Sequence, residues 1–213
     1  MKLYLSSYKL GTQPEAFTGL FGENKRTAII MNAQDLVLPE RRAMRLQEER
    51  TELSNLDLQP EELDLRTYFG RPEAFAATVK QYGGLWIRGG NVFVLRRAMK
   101  QCGFDEAVIP LVRDNQLVYA GFSAGSCAAG PDLRGLELVD DADSVPDGYD
   151  TAQVWSCLNL IPYSIAPHYR SPHPESEAIE TVVAYFEANA IPYKTLHDGQ
   201  AIVIDGDDER IVG

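Results

Sequence analysis

The 213-residue chain has no apolar run of bilayer length, no excess of positive charge, and only three cysteines and three histidines. Each shortage excludes something. Without roughly 20 consecutive apolar residues there is no spanning helix. The opening Met1-Lys2-Leu3-Tyr4-Leu5-Ser6-Ser7 turns polar too soon for a secretory leader, so a cytoplasmic location is expected. Twenty Lys and Arg against 31 Asp and Glu leave a net charge of −11. That balance argues against nucleic acid or an anionic membrane surface as the main partner. Cys102, Cys127 and Cys157 are odd in number and widely spaced. They read as reduced thiols without metal-ligand spacing, so no disulfide, metal or other cofactor is expected. Three histidines leave a short list for any imidazole chemistry.

What the chain does have is alternation. Leu3–Leu5, Thr27–Met31, Leu85–Ile87, Leu117–Ala120 and Asn159–Ala166 read as strands, with Glu62–Leu65 as a further one. The unbroken run Thr-Ala-Ile-Ile-Met is what a strand buried on both faces looks like. Helices are expected over Pro14–Phe21, Pro39–Leu53, Pro72–Tyr82, Val92–Gln101 and Pro174–Ala190, with a helix or turn over Asp105–Arg113. Several open on proline and close near glycine. Asp132–Asp150 reads as an acidic surface loop, and the tail, with Asp198-Gly199 and Asp205-Gly206, as a terminal hairpin or meander. Strands alternating with helices imply one α/β domain over residues 1–213, its sheet covered on both faces. In such sheets ligands bind beyond the carboxyl ends of the strands.

Gly121-Phe122-Ser123-Ala124-Gly125 follows one of these strands and precedes a small-residue run. A serine at such a strand-to-helix corner has an exposed hydroxyl, and the next N–H points at the same spot. The same five residues also suit an inert, closely packed turn. A serine hydroxyl needs a base. His168 closes an apolar strand downstream, whereas His173 lies between prolines and His197 precedes a turn. Ala124 N–H and the Gly89-Gly90 turn would supply oxyanion donors. Asn91 either caps the following helix or contacts substrate. Cys127 sits among small residues and reads as packing. The acid that would orient the base is open among the carboxylates between Asp132 and Asp150.

Three segments together resemble peptidase family S51, the peptidase E and cyanophycinase group. They are Gly89-Gly90-Asn91-Val92-Phe93, the Ser123 corner, and Leu160-Ile161-Pro162-Tyr163-Ser164-Ile165-Ala166-Pro167-His168-Tyr169. The opening Leu3–Tyr8 and Asp198-Gly199-Gln200-Ala201 are also similar to the family. The resemblance implies a three-layer α/β/α sandwich with a mostly parallel sheet, like class I glutamine amidotransferases. It implies Ser123 as nucleophile, His168 as general base, Gly90 and Ala124 as oxyanion donors and Asn91 at the substrate. It also implies an acid between serine and histidine, for which Asp141 aligns, with Asp140 beside it. Aspartyl dipeptidases of the family carry an arginine shortly after the histidine. Here Pro174-Glu175-Ser176-Glu177 stands instead. The expectation is a serine exopeptidase on short peptides, monomeric or homodimeric, without strict Asp-X specificity. A hydrolase of β-aspartyl-arginine peptides and a non-catalytic peptide-binding relative are the alternatives.

Overall fold

A computed structural model describes all 213 residues. Nine strands and seven helices build it. In chain order they are β1 (Lys2–Ser6), α1 (Pro14–Thr18), β2 (Arg26–Ile30), α2 (Pro39–Ser54), β3 (Gln59–Glu62), α3 (Pro72–Val79), β4 (Gly84–Ile87), α4 (Val92–Cys102), α5 (Phe104–Arg113), β5 (Val118–Phe122), α6 (Ala124–Cys127), β6 (Ser164–Ala166), α7 (Ser176–Ala188), β7 (Tyr193–Thr195), β8 (Ala201–Asp205) and β9 (Asp208–Val212). No helix is long and apolar enough to cross a membrane.

Seven strands form one sheet in the order β3-β2-β4-β5-β1-β8-β9. The five strands from β3 to β1 run parallel, and β8 and β9 are antiparallel. Period-two alternation sends successive side chains to opposite faces. Leu3, Leu5, Ala28, Ile30, Leu85, Ile87 and Tyr119 join the larger core under α3, α4, α5 and α7. Tyr4, Ile29, Trp86, Val118 and Ala120 join the smaller core with Phe17 of α1 and Leu46 and Leu53 of α2. The result is three layers, α/β/α. Both edge strands are polar, Gln-Pro-Glu-Glu in β3 and Asp-Glu-Arg at the start of β9. Charge on an edge discourages pairing with another chain.

Two expected strands shift. The strand expected at Glu62–Leu65 lies earlier, at β3, and Leu63 and Leu65 are buried where the chain leaves the sheet. Of Asn159–Ala166 only β6 is strand; Leu158, Asn159 and Leu160 instead donate backbone hydrogen bonds to Ala128, Gly130 and Ala129 just beyond α6. That apolar run packs against the corner helix rather than extending a sheet. β6 pairs in parallel with β7 as a separate two-stranded sheet.

The corner helix lies so close to β4 that a Cβ on Gly125 would sit 2.3 Å from the carbonyl oxygen of Ile87. Backbone cannot yield there as a side chain tip would. Gly125→Ala should therefore cost about 1–3 kcal/mol of stability, the usual penalty of overpacking. Urea unfolding checks this.

Candidate active site

The five parallel strands end at one rim, and the corner is built there. β5 ends at Phe122, and Ser123 follows with φ 49° and ψ −116° before α6 begins. This backbone region costs a non-glycine residue of order 1–3 kcal/mol and persists only where the surroundings enforce it. The enforcement is visible. Ser123 N–H donates to the carbonyls of Ser6 and Ser7 at 3.2 and 3.1 Å, and its own carbonyl accepts from Ser126 and Cys127. The Ser126 hydroxyl bonds to the Ser6 and Gly121 carbonyls at 2.8 and 2.9 Å. Ala124 heads α6, so its N–H is one that a helix leaves without an internal acceptor.

The loop after β4 brings Gly89-Gly90 to the same cavity. Gly90 has φ 148°, a conformation that suits glycine. Gln34 Nε2 donates to the Gly89 carbonyl. In a trans peptide this turns the Gly90 N–H away from Gln34. Asn91 caps α4, its Oδ1 accepting from Phe93 and Val94 N–H at 2.9 and 3.0 Å. Its Nδ2 donates to the Asp141 carbonyl, so the Asn91 side chain holds the 140s loop.

His168 lies two residues beyond β6, also at positive φ, 58°. It is 1% exposed. Its backbone N–H donates to Ser7 Oγ at 2.8 Å. Its Nδ1 is 2.7 Å from Asp198 Oδ1. Asp198 is held in turn by the Ser7 hydroxyl at 2.9 Å and, through its own N–H, by Ser171 Oγ at 2.8 Å. Burial pushes the His168 pKa below the ordinary imidazole value; Asp198 pulls the other way and His173 adds to the lowering. A carboxylate on Nδ1 leaves Nε2 as the basic nitrogen. Nε2 lies 3.9 Å from Glu175 Oε2, and no hydrogen bond joins it to Ser123 Oγ. Such contacts are often long in a free site and tighten when substrate fills it.

Asp141, aligned as the orienting acid, does not lie against the His168 ring. Asp141 is exposed, and its carboxylate accepts from Asp143 N–H and Ser144 Oγ, which holds it below the usual carboxylate range. It makes a local turn and does not reach the histidine. Asp140, its neighbour, accepts from Val92 N–H at 2.8 Å, and burial raises its pKa to about 7. It borders a narrow cleft beside Ser123 and Ala124 without touching the ring. Asp198 occupies the position against Nδ1. Asp198-Gly199-Gln200-Ala201 is similar to the family, but as an Asp-Gly turn it suggested no role for Asp198; the signal lies in the parallel pairing of β6 with β7, which brings the two following loops together.

Ser123, His168, Gly89 and Gly90 line a polar cavity of about 280 Å³. Arg45 and Arg88 line the same cavity. Arg88 is 9% exposed and pairs with Glu49, which also accepts from Trp86 Nε1 at 2.7 Å. Arg88 Nε is buried without an acceptor. Arg45 bonds to Gln34 Oε1; desolvation, then the charges of Arg41 and Arg88, push its pKa below the ordinary guanidinium value. This wall has more cation than its own partners neutralise.

Comparison with known proteins gives a consistent picture. The family model for peptidase family S51 matches residues 14–212. Peptidase E of Streptomyces coelicolor is 32% identical over 137 residues, covering 62% of this chain and 52% of that protein. A probable alpha-aspartyl dipeptidase of Drosophila melanogaster is 27% identical over 164 residues, 73% of this chain and 63% of that one. The chain thus matches between about half and two thirds of the length of these relatives. A crystal structure from Listeria monocytogenes, of a protein assigned as a peptidase E, superposes with a TM-score of 0.80 at 22% identity, covering 99% of this chain and 97% of the other. At that identity the likeness speaks for the fold.

If Asp198 orients His168, Asp198→Asn should slow fluorophosphonate labelling of Ser123 by about 10²-fold or more, the range of a well-placed general base. Asp141→Asn should leave the rate within about twofold, since surface carboxylates away from a site contribute little. Mass spectrometry of the labelled chain reads both.

Proposed function

The chain belongs to peptidase family S51, and from that premise we propose that it is a serine-type exopeptidase that hydrolyses short peptides through Ser123, His168 and Asp198. The observation that carries this reading is the 2.7 Å contact of Asp198 with Nδ1 of His168, a histidine that lines the cavity where Ser123 sits in a strained corner.

In the proposed reaction, Ser123 Oγ attacks the scissile carbonyl carbon while His168 Nε2 takes the hydroxyl proton. The carbonyl π electrons move to oxygen, and the N–H groups of Gly90 and Ala124 receive that oxyanion. A single such donor is typically worth about 10²–10³ in rate. His168 then gives its proton to the leaving amine as the C–N bond breaks. Water, deprotonated by His168, hydrolyses the serine ester and returns the enzyme. Asp198 holds the ring orientation and stabilises the imidazolium.

The cavity wall also bears on substrate choice. The chain lacks an arginine at 174–177, yet Arg45 and Arg88 bring guanidinium groups to the same cavity from α2 and from the end of β4. A peptide carboxylate there would meet the guanidinium of Arg45, which bonds to an amide and not to a carboxylate. This favours peptides with an acidic residue next to the cleaved bond. Glu175, on the histidine side of the cavity, is the feature that fits the arginine of a β-aspartyl-arginine peptide.

Ser123→Ala should abolish hydrolysis of every peptide cleaved by the parent chain while leaving the unfolding midpoint unchanged within error. Retained turnover would exclude the serine mechanism. Arg45→Met should lower kcat/KM on Asp-X peptides by about tenfold or more, as expected for losing a hydrogen bond to a charged group. Ala-X peptides should change far less. Preference for β-Asp-Arg over both would move the reading to the second substrate class.

A further inference from the structure

The histidine side of the cavity carries donors that the hydrolytic reaction does not use. His173 and Glu175 follow His168 on the loop into α7, and both are half-exposed. Donor atoms of His168, His173 and Glu175 all lie within 4.8 Å of one another. The two imidazoles stack at 3.6 Å between centroids and 7° between planes, with Tyr8 edge-on to both. His173 Nδ1 accepts a long 3.2 Å bond from Glu175 N–H.

We propose that His168 Nε2, His173 and Glu175 form a reversible zinc site that inhibits the enzyme by occupying the nitrogen that would take the serine proton. Two imidazoles and one carboxylate are a donor set that zinc accepts, leaving a fourth position for water or the Ser123 hydroxyl. Magnesium and calcium prefer all-oxygen shells and are poor competitors here. The outer partner is already in place. Asp198 on Nδ1 fixes the tautomer that leaves Nε2 free for metal, the usual carboxylate–histidine–zinc relay.

Geometry sets the cost. Ligands at about 2.0–2.2 Å from zinc stand roughly 3.4 Å apart in a tetrahedron, so donors now within 4.8 Å of one another must close by up to about 1.4 Å. The ring of His173 must also turn off the stack, since parallel lone pairs cannot converge on one ion, and it gives up at most the 3.2 Å bond. His168 is fixed, whereas His173 and Glu175 have room to move. Arg45 and Arg88 line the same cavity and oppose a cation. Affinity is therefore micromolar rather than that of a closed structural site.

The binding does not depend on the peptidase reading; only the inhibition does. Equilibrium dialysis of the intact chain against zinc chloride, with magnesium chloride as control, reads binding without turnover. One zinc per chain is expected for the parent and for Ser123→Ala, and none of the magnesium. His173→Ala and the milder His173→Asn should each weaken zinc at least tenfold, with unfolding midpoints measured without metal showing that they fold. Glu175→Gln should do the same. No zinc bound at micromolar concentration, or equal binding by parent and His173 variants, overturns the site. Zinc bound at this site without loss of peptide hydrolysis overturns the inhibition and leaves the peptidase reading intact.

Discussion

The hydrogen bond between His168 Nδ1 and Asp198 is the contact on which the rest of the site depends. It joins the loop after β6 to the loop after β7, and the parallel pairing of those strands is what sets the two loops side by side. Ser7, just past β1, bonds to both partners, accepting from the His168 backbone and donating to the Asp198 carboxylate. The carbonyls of Ser6 and Ser7 also hold the N–H of Ser123. One strand end therefore positions Ser123, His168 and Asp198 together, at the carboxyl rim where open α/β sheets bind ligands.

Strain is concentrated at this rim. Ser123 and His168 both hold positive φ, each at a cost of order 1–3 kcal/mol. Apolar packing on both faces of the sheet offsets it, with most of the strand residues fully buried. The same burial tunes the chemistry. Desolvation lowers the His168 pKa, and the Asp198 contact works against that lowering.

Much of this was legible from local sequence. The strands at Leu3, Thr27, Leu85 and Leu117 declare themselves because burial on both faces needs unbroken apolar runs, and proline starts with glycine stops mark the helices. That Ser123, Gly90 and His168 share one cavity was legible, because a strained corner and a close backbone approach need particular residue types and because His168 closes an apolar strand. Asp198 was not. Its role depends on two short strands finding each other across the sequence, and an Asp-Gly pair reads as a turn wherever it occurs. The acidic loop drew attention to Asp141 because it lies between serine and histidine, yet Asp141 serves its own loop. Likewise Asn91 spends its side chain on the α4 cap and the 140s loop. The cationic residues were hidden for the same reason: Arg45 lies on a helix rich in Arg, Glu and Gln, and only the fold brings it to the cavity of Ser123.

The account centres on Ser123 as a nucleophile whose oxyanion faces two backbone donors while His168 stays on Asp198. A crystal structure of the fluorophosphonate adduct tests it most directly. Phosphorus should be bonded to Ser123 Oγ, with a phosphoryl oxygen about 2.7–3.1 Å from both the Gly90 and Ala124 N–H groups, the distance of a working oxyanion site. His168 Nδ1 should remain on Asp198. An adduct on another residue, or a phosphoryl oxygen turned away from both donors, would contradict the account.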